Sequence, residues 1–315
     1  MEKVLIIGCG PAGYTAAIYT ARALLEPLMI AGPSMGGQVA TSSDIGNYPG
    51  FPDDVAGGEL AQLMQQQAER FGARLEVDIV TSVDLSTRPF KVVTYGGEYE
   101  TQTIIITSGA SPRKLGVPGE KEFAGRGVSY CATCDGFFYM GKEIVMIGGG
   151  DAAVKEAIFL TRFAQKVTVI HRRDQLRAEK ILQEQAFAHE KIEFLWDTVV
   201  TEIVGDGSVT GVRVRNVKTG EEQLLSTQGV FVAVGYAPNT DFLGGQVELT
   251  EAGFIVVDMD QRTSVEGVWA AGDVSDWTYR QVATSVGAGA RAAMQAEHYI
   301  MQLEHRAYPG KTNVG

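Results

Sequence analysis

The sequence predicts an α/β fold with two Rossmann-like (three-layer ββα) dinucleotide-binding domains, one inserted in the other. Three observations lead to this prediction. A glycine-rich turn follows an apolar strand near the N-terminus, and the same strand–turn–helix–strand unit recurs 140 residues later. A further strand and a long helix near the C-terminus have no place in the second unit, which indicates that they return to the first.

Length and composition suit a globular protein of this size. The chain has 315 residues, about two domains at roughly 150 residues each. It is 45% hydrophobic and 21% charged, and its formal charge of −11 disfavours a nucleic-acid or anionic-membrane binder. The sequence lacks an apolar run of about 18 residues, so no membrane span is expected. The initial apolar run is too short for a secretory signal, and we expect a cytoplasmic enzyme.

The first unit begins with the apolar strand Val4 to Ile7. The turn 8–13 reads G-C-G-P-A-G, and apolar residues then recur at spacings of three and four through Leu25, which predicts a helix. Leu28 to Ile30 follows as a second strand. Glycines let the backbone approach a pyrophosphate closely, and the helix N-terminus presents free N–H groups.

The second unit repeats the first without a gap. Ile144 to Ile147 is the strand, 148–153 the turn G-G-G-D-A-A, and Val167 to Ile170 the next strand. A single glycine motif is a weak signal, whereas two in register predict two dinucleotide sites. The alternative interpretation is a pair of structural glycine turns.

The remaining strands predict the domain order. Thr103 to Thr107 and Val230 to Val234 are apolar strands that end in small residues, and Val268 to Ala271 leads into Gly-Asp and a helical pattern. We therefore expect a first domain made of residues 1–112 and 243–315, with the second domain, 113–242, inserted between its parts.

Cys131 and Cys134 form a C-x-x-C motif just before the second unit. This spacing puts both sulfurs within disulfide reach in one helical turn, where a helix N-terminus would favour the reactive thiolate. Asp135 follows directly and is a candidate proton donor and acceptor. The alternatives are an inert disulfide and half of a zinc site, and we expect no metal because the other candidate ligands are scattered.

The strand ending at Ile170 is followed by His171, Arg172, Arg173 and, after three residues, Arg177. A site for NAD carries an acidic residue at this place to bind the ribose 2′-hydroxyl. Guanidinium groups instead pair with phosphate, so the cluster favours the 2′-phosphate of NADPH. The alternative is a solvated basic patch.

The first unit has no acidic residue after Ile30, where a glycine-rich segment, 31–38, follows. This departure from the usual pattern favours a larger cofactor than NAD. Asp273 ends a predicted strand and could accept hydrogen bonds from an extended polyol chain such as the ribityl group of FAD.

Four motifs together resemble the low-molecular-weight, bacterial-type thioredoxin reductases. They are C-A-T-C-D-G, H-R-R-D-x-x-R, the initial G-x-G-P-A-G, and Gly272-Asp273-Val274 with Tyr279-Arg280-Gln281. The resemblance covers nearly the whole chain. It implies a homodimer in which NADPH reduces FAD, FAD reduces the cysteine pair, and the pair reduces thioredoxin.

The resemblance also implies roles for single residues. Cys134 would face the flavin, Cys131 would attack the substrate disulfide, and Asp135 would act as acid and base. Asn47-Tyr48-Pro49-Gly50 matches a family segment near the flavin. The flavin residues expected are Gly8, Gly10, Pro11, Ala12, Gly13, Gly36, Gly37, Gln38, Asn47, Gly272, Asp273, Arg280 and Gln281. The NADPH residues expected are Gly148, Gly150, Asp151, Ala153, His171, Arg172, Arg173 and Arg177.

Two rival functions remain open from the sequence. A related flavin disulfide reductase could take electrons from ferredoxin or deliver them to a peroxide-reducing system. A flavin-binding or redox-sensing module could instead use the C-x-x-C motif as a switch without turnover. The intact basic cluster argues against ferredoxin as donor, and nothing in the sequence demands the sensing module.

Overall fold

A computed structural model describes residues 1–42 and 45–304 of the chain. The chain divides into two compact units. The described residues of unit 1 lie within Met1–Ser43, Tyr48–Ser111 and Ala237–Gly315, and those of unit 2 within Asp44–Asn47 and Pro112–Tyr236. Unit 2 is thus inserted in unit 1 along the sequence. The long passage of the chain through unit 2 begins at 111/112 and ends at 236/237.

Unit 1 is built on a sheet that, within the described residues, has seven strands in the order β3-β2-β1-β6-β5-β4, with β17 paired to β6. Strands β3, β2, β1, β6 and β17 are parallel, and β6 continues into an antiparallel β4–β5–β6 meander. The strands are β1 (Glu2–Ile7), β2 (Leu28–Ile30), β3 (Arg74–Glu76), β4 (Val80–Asp84), β5 (Phe90–Thr94), β6 (Glu98–Ile106) and β17 (Val268–Ala270).

The helices of unit 1 are α1 (Pro11–Arg22), α2 (Gly57–Arg70) and α6 (Val282–Leu303), and short 3₁₀ helices span Gly37–Thr41 and Asp241–Leu243. Helix α1 starts with Pro11 at its first position, where the missing N–H costs nothing. Helix α6 starts with a capping box between Gln281 and Thr284. It buries the small residues Ala292, Ala293 and Ala296, which allows close packing.

Unit 2 repeats this plan with a parallel five-stranded sheet in the order β11-β10-β9-β15-β8, counted over the described residues, and an antiparallel β12-β13-β14 sheet. Its strands are β8 (Val128–Ser129), β9 (Glu143–Ile147), β10 (Lys166–Ile170), β11 (Ile192–Leu195), β12 (Thr198–Asp206), β13 (Ser208–Asn216), β14 (Glu222–Ser226) and β15 (Gly229–Val232). Its helices are α3 (Ala132–Asp135), α4 (Asp151–Leu160) and α5 (Lys180–Phe187), with a 3₁₀ helix over Gly136–Tyr139.

The predicted repeat is confirmed. Helices α1 and α4 begin 140 residues apart, at Pro11 and Asp151, and each follows a buried central strand. The buried parts of both central strands, Val4 to Ile7 and Ile144 to Ile147, are apolar because a parallel sheet is covered on both faces. The two passages of the chain between units, β7 (Ala110–Pro112) and β16 (Tyr236–Pro238), form a two-stranded sheet. None of the described helices is long and apolar enough to cross a bilayer.

Candidate active site and dinucleotide sites

The cysteine pair is a disulfide held in a single helical turn. Cys131 is the N-cap residue of α3, and the N–H of Asp135 donates to its carbonyl oxygen over 3.1 Å. The two Cα atoms are 5.3 Å apart, which suits a disulfide, and a Cys131–Cys134 bond is present. Within residues 1–42 and 45–304, no group of three or more His, Cys, Asp or Glu side chains is placed to hold a metal ion.

A buried serine connects Cys131 to Asp135. The Ser129 hydroxyl lies 2.6 Å from Oδ2 of Asp135, to which it donates, and it accepts the N–H of Cys131 over 3.1 Å. Ser129 ends strand β8 and is 3% exposed. A carboxylate that accepts a hydrogen bond from a fixed hydroxyl has a defined orientation, so Ser129 positions the acid–base candidate. Sequence reasoning missed this serine, since a residue two positions before a C-x-x-C motif gives no periodic signal.

A second buried polar group fixes the chain just before Cys131. Glu120 is 3% exposed and accepts the N–H groups of Leu115 and Gly116 at 2.9 and 2.8 Å. Its Oε1 also accepts the Tyr130 hydroxyl at 2.9 Å, and Tyr236 donates to the Tyr130 carbonyl at 2.7 Å. This network was not predicted, because Glu120 and its partners are brought together by the folding of loops and not by a short sequence pattern.

Apolar packing supports the helical turn from below. An added Cβ at Gly136 would lie 3.0 Å from the side chain of Leu160 and 3.2 Å from that of Phe163, so the residue after α3 packs closely on these two side chains. Burial, aided by the charge of Asp135, raises the pKa of Tyr139 to about 12. Phe137 is 62% exposed next to the disulfide. Both cysteines are therefore half-buried in a turn that is followed by an exposed phenylalanine.

The first glycine turn has the shape that a dinucleotide phosphate requires. Gly8 has a φ of +110°, and an added Cβ at Gly13 would stand 2.1 Å from the Gly8 carbonyl oxygen. An added Cβ at Gly10 would meet nothing within 4 Å, so open space faces this glycine. Helix α1 has no side chain capping its N-terminus. A pyrophosphate can thus come close to the backbone at Gly10, while Gly8 permits the tight turn and Gly13 permits close packing of the helix.

The segment 36–38 lies against this turn. Gly36 and Gly37 have φ values of +78° and +64°, and an added Cβ at Gly37 would be 3.2 Å from Cα of Gly10. The Cys9 thiol donates to the Ala31 carbonyl oxygen over 3.1 Å, and its sulfur lies 3.6 Å from the Ser34 carbonyl oxygen. Gln38 follows in a 3₁₀ helix. The structure thus brings Gly36, Gly37 and Gln38 to the first phosphate turn.

Asp273 also lies at the first turn. It follows Gly272, where an added Cβ would be 3.0 Å from that of Ala12. Burial raises the pKa of Asp273 to about 6, with Asp276 adding to the rise and Arg280 and Ser285 opposing it. The Ser285 hydroxyl lies 3.4 Å from Oδ1 of Asp273.

The other residues expected to bind flavin are placed differently. Arg280 has a φ of +50°, and its N–H points to Oδ2 of Asp276 at 3.4 Å. Gln281 caps helix α6 through a capping box. Asn47 is exposed and belongs to unit 2, whereas the other residues expected to bind flavin belong to unit 1.

The second glycine turn opens into a cavity of about 590 Å³ inside unit 2. As in the first turn, an added Cβ at the middle glycine, Gly150, meets nothing within 4 Å. Among the predicted residues, the cavity is lined by Gly148, Gly150, Asp151, Ala153, His171, Arg172 and Arg177. Arg173 is exposed and does not line it. Sequence reasoning missed Arg113 and Lys114, which add two cationic residues to the wall.

His171 is deeply buried in this wall. It is 5% exposed, and an added Cβ at Gly149 would lie 2.3 Å from its ring. Burial lowers the pKa of His171, a hydrogen bond to the Gln175 backbone opposes this, and the charges of the neighbouring arginines lower the pKa further, so the neutral ring is favoured. Its buried Nε2 has no partner among the described residues. The carboxylate of Asp151 accepts the N–H of Glu179 over 2.8 Å, which joins α4 to the start of α5.

Comparisons with known proteins agree with this arrangement. Residues 2–296 match the family model described as "Pyridine nucleotide-disulphide oxidoreductase". A thioredoxin reductase of Rickettsia conorii is 52% identical over 95% of this chain and 98% of its own. One from Streptomyces coelicolor is 49% identical over 100% of this chain and 99% of its own.

Solved structures give the same result. A thioredoxin reductase from Streptococcus pyogenes MGAS5005 matches with a TM-score of 0.91 at 46% identity, covering 96% of this chain and 99% of that one. A thioredoxin reductase from Giardia duodenalis matches with a TM-score of 0.89 at 42% identity, covering 95% of this chain and 98% of that one. These relatives do not favour the ferredoxin or peroxide-system alternatives. The chain belongs to the pyridine nucleotide-disulphide oxidoreductase family and, within it, to the thioredoxin reductases.

Proposed function

We propose that the protein transfers electrons from NADPH through FAD to the Cys131–Cys134 disulfide and from there to the disulfide of thioredoxin. One observation carries the proposal: the Cys131–Cys134 disulfide sits in a single turn of α3 with Asp135 oriented beside it by Ser129. A structural disulfide needs no adjacent carboxylate held by a buried hydroxyl, whereas thiol–disulfide exchange needs a group that moves protons.

The exchange itself is carried out by this chain's residues. The Cys131 thiolate attacks one sulfur of the thioredoxin disulfide, which forms a mixed disulfide and releases the other thioredoxin sulfur as a thiolate. The Cys134 thiolate then attacks Cys131 Sγ, which re-forms the internal disulfide and releases reduced thioredoxin. Asp135 supplies a proton to a leaving thiolate and takes one from an attacking thiol.

The family implies a flavin and a nicotinamide cofactor, and we assign FAD to unit 1 and NADPH to unit 2. When bound, the two cofactors supply the electron pair that opens the disulfide. Gly8, Gly10 and Gly13 would hold the FAD pyrophosphate on the N-terminus of α1. The buried Asp273 would accept hydrogen bonds from its ribityl hydroxyls.

The choice of NADPH over NADH rests on charge. Arg172 and Arg177 line the cavity at the end of β10, where an NAD site would place a carboxylate. Forked guanidinium hydrogen bonds suit the 2′-phosphate that distinguishes NADPH.

Absorbance spectroscopy of the flavin-loaded protein tests the proposal. Addition of NADPH should bleach the flavin band, and oxidised thioredoxin should restore it. Cys131→Ser and Cys134→Ser should abolish thioredoxin reduction while flavin content, the internal control, stays unchanged. Continued thioredoxin reduction by either variant, or a wild-type protein that takes up no flavin when supplied with it, would refute the proposal.

We further propose that the protein is a homodimer in the reducing cytoplasm, as the sequence resemblance implies. Size-exclusion chromatography with light scattering should then give about twice the chain mass of 33.9 kDa. A mass equal to one chain at micromolar concentration would exclude the dimer.

A further inference from the structure

Lys218, a residue distant in sequence from every predicted site residue, contacts the loop that carries the arginine cluster. It lies in the turn between β13 and β14, and its Nζ is 2.9 Å from Oδ2 of Asp174. The same Nζ is 3.0 Å from Oδ2 of Asp197. One ammonium group therefore pairs with two carboxylates, one of them inside the loop 171–177.

Backbone hydrogen bonds join the same three segments. The N–H of Asp197 donates to the Arg173 carbonyl over 3.2 Å, and the N–H of Val217 donates to the Asp197 carbonyl over 2.6 Å. Thr198 donates to the His171 carbonyl over 2.9 Å. Asp197 has a φ of +52°, an uncommon conformation for a residue other than glycine. The hairpin turn, the 195–198 turn and the arginine loop thus form one connected body.

The charges of the loop show what Lys218 contributes. Residues 171–177 contain three arginines and a single acidic residue, Asp174. The side chains of Arg172, Arg173 and Arg177 are exposed, so an anion can reach their guanidinium groups. Asp174 pairs with Lys218 instead. The Lys218 ammonium lowers the pKa of Asp174, and the two carboxylates raise the pKa of Lys218.

We propose that Lys218 is a positioning residue that sets the preference for a 2′-phosphorylated nicotinamide cofactor, acting through Asp174 without touching the cofactor. This inference rests on the proposed use of NADPH. With Lys218 present, the Asp174 carboxylate is paired and its charge is compensated. Without it, an exposed and uncompensated carboxylate in the arginine loop competes with the phosphate for the guanidinium groups and repels it.

The mechanism predicts a selective effect, because only NADPH carries the extra phosphate, with a charge of about −1.5 to −2 near pH 7. NADH offers no group for Asp174 to repel. The interaction involves solvent-exposed charges and is screened by salt, so the effect should be modest and should shrink as ionic strength rises.

Steady-state kinetics of three variants test the proposal, with thioredoxin as acceptor and NADPH or NADH as donor. Lys218→Met should raise the KM for NADPH about three- to fivefold at low salt, with kcat and the KM for NADH unchanged. Lys218→Arg, which keeps the charge, should resemble wild type. Lys166→Met is the matched control, since Lys166 pairs with Glu193 at 2.7 Å at the opposite end of β10, and it should leave both KM values unchanged.

The double variant Lys218→Met/Asp174→Asn tests whether Lys218 acts through Asp174. Removal of the carboxylate should restore the KM for NADPH to within twofold of wild type. No change in the Lys218→Met variant, an equal rise for NADPH and NADH accompanied by a lower melting temperature, or a double variant as poor as the single one would each overturn the proposal. A wild-type protein that does not prefer NADPH would instead refute the proposed function, so the two failures are distinguishable.

Discussion

Asp273→Asn should stabilise the flavin-free protein at neutral pH although it removes a residue proposed to bind flavin. Burial raises the pKa of this carboxyl from 3.8 to about 6. The unfolded chain therefore releases this proton at a lower pH than the folded chain, and stability falls as pH rises between the two values. This pKa shift of about two units lowers the free energy of unfolding by about 3 kcal/mol above pH 6, at about 1.4 kcal/mol per pKa unit.

Thermal unfolding of flavin-free wild type and variant between pH 4.5 and 8 measures this cost. An asparagine keeps the size of the side chain but does not ionise, so the gap in melting temperature should widen with pH. About 3 kcal/mol corresponds to roughly 6 to 12 °C for a unit of 150–250 residues, and the gap should shrink to about a third of that at pH 4.5. The exposed Asp241→Asn is the control and should give a gap that does not depend on pH.

The substitution should have the opposite effect on the binding of flavin. If the Asp273 carboxyl accepts hydrogen bonds from the ribityl chain, Asp273→Asn should weaken flavin retention while it stabilises the empty protein. A melting gap that stays constant between pH 4.5 and 8 would show that the ionisation of Asp273 carries no folding cost. The reasoning from burial would then be wrong.

Three further variants test the polar and steric features around the other sites. Ser129→Ala removes the 2.6 Å hydrogen bond to Asp135 and should lower kcat about tenfold or more at unchanged flavin content, measured by thioredoxin reduction; an unchanged kcat would contradict the positioning role. Gly149→Ala places a methyl group 2.3 Å from the His171 ring, so it should raise the KM for NADPH and lower the free energy of unfolding by about 1–3 kcal/mol. A KM and a melting temperature equal to those of wild type would contradict the predicted clash. Glu120→Gln leaves one acceptor oxygen for three donors that now share two, so the free energy of unfolding should fall by about 1–3 kcal/mol. A melting temperature equal to that of wild type would argue against this network.

The sequence predicted those parts of the molecule whose signal lies within one stretch of chain. The two glycine turns, their strands and the C-x-x-C disulfide follow from short-range patterns, and the structure confirms the repeat and the disulfide. Ser129 and Glu120 were missed because their partners are set by how loops fold back on one another. Lys218 was missed for the same reason, since it lies 44 residues from Asp174 along the chain. The roles assigned to the individual cofactor residues stay predictions.

The placement of His171 shows a different limit of sequence reasoning. Its position beside three arginines suggested a charged group for a phosphate, whereas the structure buries the ring against Gly149 and lowers its pKa. A neutral imidazole can still donate a hydrogen bond, but it adds no positive charge. Attraction for a 2′-phosphate in this site therefore depends on the arginines, which makes the compensation of Asp174 more important than the sequence alone suggested.

The two copies of the dinucleotide unit differ in what covers the start of the first helix. In unit 1, α6 approaches α1 so closely that an added Cβ at Gly289 would stand 2.3 Å from the Ala12 carbonyl oxygen, and Gly272 lies against the same residue. In unit 2, the chain leaves after β15 through β16, and the described residues of that unit include no helix equivalent to α6. A helix start that is packed on one side loses freedom to rearrange, which suits a cofactor that stays bound through many turnovers. The start of α4, which has no such helix against it within the described residues of unit 2, suits a nucleotide that must enter and leave in each cycle, in line with the assignment of FAD to unit 1 and NADPH to unit 2.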